Sequence, residues 1–299
     1  MLDLSIIIVN YNTKEFLEGC VDSLLNSISK KINYEIVVVD NASIDDSPSA
    51  ISRLRQDFGG KVNIKTILNK ENLGFSRANN QGIKISQNSR YILFLNPDTL
   101  VKNDTVEKMI EFMDKHKDAG AATCKVVMQN GQIDDASHRG FPTPWNAFCH
   151  FVGFEKIFPK SRLFSGYTLG WKEFSKVHEI DVLAGAFMLV RRKAGEDVSW
   201  WDEDYFFYGE DIEFCYQLKQ KGWKIYYVPQ ASIMHFKGVS GGIKSVSKDI
   251  TTANPETKRI ATNARFNAMR IFYNKHYKKK YPQVVNWLVH LGISIKEHL

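Results

Sequence analysis

Short runs of consecutive apolar residues alternate with longer amphipathic segments over the first 130 residues. A continuous apolar run is typical of a strand that is buried on both faces. Four such runs predict strands, at Leu4–Val9, Glu35–Val39, Val62–Leu68 and Tyr91–Leu95. Helical spacing predicts a helix after each strand: from Asn12 or Thr13, over Ser47–Phe58, up to about Ser86 and over Asn103–His116. The alternation predicts an α/β fold with a mostly parallel sheet covered by helices on both faces.

This alternation stops between Asp134 and Ile180, where prolines and aromatic residues occur without a clear period. Long irregular segments within compact domains are usually functional. Beyond it the pattern predicts, in order, strand Asp181–Arg191, a helix from Gly209 to about Lys221, strands Trp223–Val228 and Ala231–His235, a flexible loop at Gly238–Gly242, and terminal helices.

Charge is concentrated at the C-terminal end of the chain. Of 299 residues, the segment from Glu256 to Leu299 holds nine Lys and Arg against two Glu, which accounts for the whole net charge of +7. The remainder is neutral and contains no recognised nucleic-acid module, which argues against nucleic-acid binding. The basic helices could lie on an anionic membrane surface, or they could pack on the rest of the protein with solvated lysines.

The cysteines and the N-terminal residues indicate a protein of a reducing compartment. Four cysteines show no metal-binding spacing and are interpreted as reduced core thiols. No signal peptide is evident at the N-terminus, and no run reaches the roughly 18 apolar residues of a spanning helix. We therefore expect a cytoplasmic protein, which the basic tail could hold peripherally on the inner face of the cytoplasmic membrane.

Polar residues follow each of the predicted N-terminal strands. In open α/β sheets, ligands bind outside the carboxyl ends of the strands. The glycine patterns of dinucleotide-binding and P-loop proteins are absent, which argues against a dehydrogenase or an ATPase. These polar residues could bind a nucleotide and a metal ion, or they could simply start turns. They are Asn10–Asn12, Asp40–Ser43, Asn72–Phe75 and Asn96–Asp98.

Several of these segments resemble family 2 glycosyltransferases, and in particular the bacterial rhamnosyltransferase-like group. The similar segments follow the same order over Leu4 to Gly242: VVVDNAS, NLGFSRANNQGI, FLNPD, AGAFMLVRR and DEDYFFYGEDIEFCYQL. The resemblance implies a Rossmann-like GT-A fold and inverting transfer from a nucleoside diphosphate sugar. It places the catalytic domain at 1–242, with a nucleotide-sugar half to about 130 and an acceptor half after it, and leaves 243–299 as a basic helical extension.

The resemblance also assigns binding roles. The donor, dTDP- or UDP-linked, would contact Tyr11, Asn12, Asp40, Asn72, Gly74, Arg77, Asn80, Asn96 and Asp98. A divalent metal, Mn²⁺ or Mg²⁺, would be held by Asp98 and His235. The family's DxD motif reads Asn96-Pro97-Asp98 here, so its first carboxylate is missing. A lone histidine at a strand end could equally have a structural role.

For catalysis, the resemblance identifies Asp211 as the base that deprotonates the acceptor, with Glu210 holding the acceptor or the loop. Acidic residues at a helix N-terminus also occur simply as caps and dipole partners. The acceptor would be a saccharide, which many relatives carry on a lipid. The processive QxxRW motif is absent, so one addition per encounter is expected. A catalytically silent sugar-nucleotide or polysaccharide-binding subunit, a nucleotidyltransferase and a glycosidase stay open as alternatives.

Overall fold

The computed structural model describes residues 1–58, 60, 62–244 and 248–298. Within these residues, nine strands form one sheet in the order β3-β2-β1-β4-β8-β6-β9-β5, with β7 paired to β9. The strands are β1 Leu2–Asn10, β2 Tyr34–Asp40, β3 Asn63–Leu68, β4 Ser89–Leu95, β5 Thr99–Val101, β6 Ala119–Met128, β7 His178–Ile180, β8 Phe187–Arg191 and β9 Lys224–His235.

Helices cover the sheet and extend the chain beyond it. They are α1 Lys14–Ser27, α2 Ser47–Phe58, α3 Phe75–Ile85, α4 Thr105–Lys115, α5 Pro144–Val152, α6 Phe154–Ile157, α7 Arg192–Asp197, α8 Glu210–Gln220, α9 Pro255–His276 and α10 Gln283–His298. A short 3₁₀ turn at Asp135–Ser137 follows β6.

The four N-terminal strands form the parallel half of the sheet, because β1 pairs in parallel with β2 and β4, and β2 with β3. Alternate side chains of β1 enter two separate cores. Ile6 and Ile8 pack with residues of α1, α2 and α4, whereas Ile7 and Val9 pack with residues of α3, α7 and α8. Burial on both faces explains the continuous apolar runs, and the predicted α/β fold class is confirmed.

The second half of the sheet is mixed and differs from the prediction. Strand β8 runs antiparallel to both β4 and β6, while β6 and β9 are parallel. The predicted strand Asp181–Arg191 was wrong at its start, because it is extended in the sheet only from Phe187. The two strands predicted at Trp223–Val228 and Ala231–His235 are one strand, β9, whose pairing with β6 shifts between Cys124 and Lys125. A bulge of this kind absorbs extra residues without ending the strand.

The C-terminal helices pack on the α/β layer through α8. An aromatic cluster joins the two parts, formed by Tyr205, Tyr216, Phe272, Tyr273 and Tyr277. At its centre, the buried Glu213 accepts a hydrogen bond from the Tyr205 hydroxyl at 2.9 Å and contacts His276 Nε2 at 2.7 Å. Residues 245–247 and 299 of the predicted extension lie outside the described residues.

Burial of the four cysteines agrees with their interpretation as core thiols, since each is fully shielded from solvent. Burial raises the pKa of the Cys20 and Cys215 thiols to about 12. Among the helices that the structure describes, none is long and apolar enough to cross a bilayer.

Candidate active site

A cavity of about 1170 Å³ opens at the carboxyl edge of the parallel strands. Its inner wall combines strand ends, the Asn72–Phe75 loop, the start of α8 and the end of β9. Helices α5, α9 and α10 complete the outer wall. The position agrees with the general rule for ligand sites in open α/β sheets.

The structure brings eight of the predicted site residues together on the cavity wall. They are Tyr11, Asn72, Gly74, Asn96, Asp98, Glu210, Asp211 and His235. Four predicted donor-binding residues lie outside this wall: Asn12, Asp40, Arg77 and Asn80.

Asp40 and Asn12 hold the strand ends in place instead of facing the cavity. The Asp40 carboxylate is buried and accepts hydrogen bonds from Asn10 Nδ2 at 2.9 Å, Ser43 N at 2.9 Å and Ser43 Oγ at 2.6 Å. Asn12 accepts a hydrogen bond from the Ile44 amide at 2.7 Å. Both oxygens of the Asp40 carboxylate and the side-chain oxygen of Asn12 therefore fix the loops after β1 and β2.

Arg77 and Asn80 lie on α3 and contact the segment before α8. The Asn80 amide donates to the Trp201 carbonyl at 2.9 Å and to Glu203 at 2.9 Å, and Arg77 lies 3.5 Å from the same glutamate. The Arg77 side chain is 56% exposed. These contacts hold α3 against the segment that precedes α8.

Asn41 organises the loop that follows β3, although it was not among the predicted binding residues. Its amide nitrogen donates to Asn72 Oδ1 at 2.7 Å, and its oxygen accepts from the Leu73 amide at 3.1 Å. The same loop also contacts the segment that precedes α8, because the Phe75 amide donates a hydrogen bond to the Phe206 carbonyl at 2.7 Å. Gly74 has φ 83°, and a Cβ there would lie 2.5 Å from the Phe206 oxygen. Only glycine fits this junction without strain.

His235 lies between two buried carboxylates. Antiparallel pairing of Thr99 with His235 places the end of β9 beside Asp98. His235 Nε2 is 3.3 Å from Asp98 Oδ1, and Nδ1 is 3.3 Å from Asp134 Oδ2. Burial disfavours the charged imidazole, but the two carboxylates outweigh it and raise the pKa of His235 to about 9. Burial likewise opposes ionisation of Asp98, yet His235 and the Val239 amide hold the pKa of that carboxyl below its ordinary value.

The chemistry of this group fits a divalent metal. His235 Nε2 is buried and faces the Asp98 carboxylate at 3.3 Å, and it makes no hydrogen bond of standard geometry among the described residues. Asp134 orients the opposite ring nitrogen, as outer-sphere carboxylates do for metal-binding histidines. No cluster of three or more His, Cys, Asp or Glu suited to a metal occurs in the described part of the chain. Two protein ligands would therefore leave the remaining positions to the diphosphate and water.

Asn96 takes the place of the first carboxylate of the DxD motif. Its side-chain oxygen is buried and has no hydrogen-bond partner in the part of the chain that the structure describes. The residue lines the cavity two positions before Asp98. An uncharged oxygen is thus available to a bound ligand at this position.

Glu210 and Asp211 begin α8 and have different surroundings. Asp211 Oδ2 accepts a hydrogen bond from Arg139 Nη2 at 2.6 Å, and Oδ1 accepts from the Ile212 amide at 2.8 Å. Glu210 Oε2 has no partner among the described residues. Burial, reinforced by the neighbouring Asp211 charge, raises the pKa of Glu210 to about 8. Asp211 is therefore paired with a cation, whereas burial favours the protonated form of Glu210.

Sequence reasoning missed the cations of the site. Arg139 and Lys237 line the cavity, and so do Lys244 and Arg265 from the C-terminal part of the chain. Burial lowers the pKa of Lys244 to about 8, and Arg265 and Lys237 contribute in the same direction. Arg139 and Lys237 pair with Asp211 and Asp134, and Lys244 and Arg265 bring further positive charge to the cavity, which favours an anionic ligand.

Comparison with known proteins assigns the family. The family model described as glycosyl transferase family 2 matches residues 5–194. The chain belongs to glycosyltransferase family 2. It is 28% identical over 239 residues to rhamnosyltransferase WbbL of Escherichia coli (strain K12), covering 77% of this chain and 82% of that protein.

A second relative agrees with this assignment, and a solved structure shows a similar fold. The chain is 25% identical over 250 residues to the N-acetylglucosaminyl-diphospho-decaprenol L-rhamnosyltransferase of Mycobacterium tuberculosis (strain CDC 1551 / Oshkosh), covering 80% of this chain and 78% of that one. The crystal structure of GalNAc-T7 with UDP, GalNAc and Mn²⁺ superposes with a TM-score of 0.58 at 16% identity over 79% of this chain. The chain spans 44% of that longer protein, and the likeness shows the GT-A fold.

Proposed function

We propose that the protein is a metal-dependent, inverting and non-processive glycosyltransferase of bacterial cell-surface polysaccharide synthesis. Its donor is a dTDP- or UDP-linked sugar, with rhamnose or a hexose transferred to a saccharide acceptor. The observation that carries the proposal is the meeting of Asp98, His235 and Asp211 on the wall of one cavity at the carboxyl edge of the sheet.

The donor binds across the strand ends. Tyr11 lines the nucleotide end of the cavity, and the loop that Asn41 organises supplies Asn72 and Gly74. Asp98 and His235 would hold Mn²⁺ or Mg²⁺, which when bound neutralises the departing diphosphate. Lys237, Lys244 and Arg265 add positive charge on the same wall. These residues therefore favour the build-up of negative charge on the leaving group.

Asp211 acts as the general base. It accepts the proton of the acceptor hydroxyl while that oxygen forms a bond to the anomeric carbon on the face opposite the diphosphate. The bond between the anomeric carbon and the diphosphate oxygen breaks with its electron pair, so the configuration inverts. Arg139 fixes the carboxylate through a 2.6 Å hydrogen bond. Protonated Glu210 can donate a hydrogen bond to the acceptor or to its own loop.

The outer part of the cavity favours an acceptor carried on a lipid. Its wall includes apolar side chains from two helices there, Phe148 and Phe151 of α5 and Leu288 and Ile295 of α10. A saccharide at the polar inner end could thus be followed by a hydrocarbon chain. The name of the mycobacterial relative describes such a substrate, a sugar on diphospho-decaprenol. Since α9 and α10 help form this wall, we assign residues 243–299 to the catalytic unit together with 1–242.

Transfer is tested with dTDP-rhamnose and UDP-hexoses, Mn²⁺ and a lipid-linked saccharide acceptor. We expect one donor to release its nucleoside diphosphate and to extend the acceptor by one residue. Asp211→Asn should lower turnover by about 10³-fold or more while calorimetric donor binding is retained. Donor binding without turnover in the wild type would identify a silent binding subunit. Release of pyrophosphate in a separate assay with a nucleoside triphosphate and a sugar 1-phosphate would identify a nucleotidyltransferase. Full turnover of Asp211→Asn would refute the base assignment.

A further inference from the structure

Helix α10 presents an apolar stripe to solvent. Exposed apolar side chains recur at helical spacing along it: Val284, Trp287, Leu288, Leu291 and Ile295. Trp287 is 63% exposed. The opposite side of the helix packs on α9, where the Tyr273 hydroxyl donates to Asn286 Oδ1 at 2.6 Å. The stripe is therefore not required to hold α10 on the protein.

A second exposed apolar surface is formed by α5, α6 and the residues that follow them. Trp145 and Phe148 of α5 are 44% and 48% exposed, and Ile157 and Leu163 are 65% and 59% exposed. The aromatic rings contact one another, with Trp145 and Phe148 centroids 5.8 Å apart. The Trp145 indole donates to the Leu163 carbonyl at 2.8 Å, which fixes this surface as one unit. Exposed aromatic clusters of this kind usually mark an interaction site.

The two apolar surfaces border the same opening. Phe148, Phe151 and Val152 of the second and Leu288 and Ile295 of the first all line the outer cavity. A partner that covered both surfaces would therefore meet the cavity at its apolar end.

The charge around the two surfaces is positive. Exposed Lys156, Lys160 and Arg162 belong to the same segment as the second surface. Lys278 and Lys279 precede α10, and Lys296 lies in its last turn. None of the six takes part in an ion pair with another described residue, whereas the nearby acidic residues are already paired. Glu155 lies 2.7 Å from His150, and Glu297 pairs with Arg270 at 2.5 Å.

We propose that these two surfaces together dock on an anionic lipid bilayer, with the cavity opening at the membrane surface. Apolar and aromatic side chains ringed by cations suit insertion at the boundary of headgroups and acyl chains. A symmetric dimer through the same patch would bring like charges into apposition, which disfavours a second copy as the occupant. The docking deepens the proposed function, since it rests on an acceptor that resides in the membrane.

The test measures full-length protein on vesicles without donor or acceptor. We expect flotation with phosphatidylcholine vesicles containing phosphatidylglycerol, weak flotation with pure phosphatidylcholine, and loss of binding in high salt. Two double variants probe the two surfaces: Trp287→Ser with Leu291→Ser, and Ile157→Ser with Leu163→Ser. Each should lower the vesicle partition coefficient at least about fivefold. Ile44→Ser with Leu68→Ser, which removes exposed apolar side chains outside the cavity wall, should leave it unchanged.

The outcomes separate bilayer docking from other occupants and from the transferase activity. Unchanged vesicle binding in both surface variants would overturn the proposal. So would a concentration-dependent dimer in sedimentation velocity that either surface variant abolishes, or capture of an acidic protein with no vesicle binding. None of the four substituted surface residues lines the cavity, so release of nucleoside diphosphate with a water-soluble acceptor should stay at the wild-type rate. Failure of that release in the wild type would count against the transferase and leave docking intact.

Discussion

At the scale of single residues, the adjacent carboxyl groups of Glu210 and Asp211 differ in their surroundings. Arg139 and the Ile212 amide hold Asp211, whereas Glu210 has an unpartnered oxygen among the described residues and a pKa raised to about 8. Adjacent acidic residues that differ in this way can divide base and donor roles between them.

Glu210→Gln tests this separation through the pH dependence of stability. A raised folded-state pKa means that the native state binds the proton more tightly than the unfolded chain does. The resulting stability is fully present below the unfolded pKa and is lost as the pH rises through about 8. A tenfold difference in proton affinity between the two states corresponds to about 1.4 kcal/mol. As the pH rises from 6 to 9, we expect the thermal midpoint of the wild type to fall more than that of Glu210→Gln.

The same titrations on Glu256→Gln, which alters an exposed glutamate, should match the wild type at every pH. If wild type and Glu210→Gln kept a constant difference in thermal midpoint, Glu210 would be ionised in the native protein.

Asp98 is the carboxylate that we propose as a metal ligand. Asp98→Ala removes a carboxylate that faces His235 Nε2 at 3.3 Å. We expect Mn²⁺ to strengthen nucleoside diphosphate binding to the wild type and to have at least about tenfold less effect on the variant. Isothermal titration with and without Mn²⁺ measures this, and Asp57→Ala on the exposed face of α2 is the control. An equal effect of Mn²⁺ on both variants would locate the metal elsewhere.

At the scale of elements, the Asn72–Phe75 loop connects the strand ends to the segment before α8, through the hydrogen bond from the Phe75 amide to the Phe206 carbonyl. Gly74→Ala should lower the free energy of unfolding by about 1–3 kcal/mol for two reasons. The new Cβ would meet the Phe206 oxygen, and alanine would have to adopt a positive φ. Gly131→Ala separates the two causes, since Gly131 has φ 79° with open space around it. Denaturant unfolding should show the larger loss for Gly74→Ala. Equal losses would mean that the contact with Phe206 relaxes without cost.

Sequence pattern predicted the elements that are buried on both faces and missed those with weaker signals. Strands β1, β2 and β4 are continuous apolar runs, so the parallel half of the sheet could be predicted. Strand β6 begins Ala119-Gly120-Ala121-Ala122, and such small residues carry little strand signal. Gly120 is required where Trp223 packs, because a Cβ there would lie 2.6 Å from the Trp223 side chain.

The site was predictable where it follows strand ends and unpredictable where distant segments supply it. Asp98 and Asp211 follow recognisable motifs. Arg139 comes from the irregular segment and Arg265 from the tail, and neither position shows a pattern that joins it to Asp211 or Asp98. Asp40 illustrates the opposite case, since its position in a motif could not reveal that Asn10 and Ser43 already occupy its oxygens.

At the scale of the whole molecule, the C-terminal helices are joined to helix α8 by a buried polar contact. His276 lies 2.7 Å from Glu213, which is 1% exposed. Removing the imidazole takes one hydrogen-bond partner from the buried Glu213 carboxylate, which keeps those from Tyr205 and Gln217, and such a loss typically costs about 1–3 kcal/mol. We therefore expect His276→Ala to lower the thermal midpoint by several degrees within a single transition. His298→Ala, at the exposed end of α10, should have little effect in the same calorimetric scan.

Two separate transitions in His276→Ala would show that the tail unfolds independently of the sheet. A thermal midpoint of His276→Ala equal to that of the wild type would show that the aromatic cluster around Tyr216 holds the C-terminal helices without this contact.

The shielding of all four cysteines makes the protein suitable for site-specific labelling. Cys20, Cys124, Cys149 and Cys215 are each 0% exposed, so maleimide reagents should spare the native protein. A single cysteine placed on the solvent side of α10 would then carry the only reactive thiol. A nitroxide or fluorophore attached there would report immersion depth and distance changes without removing any natural cysteine.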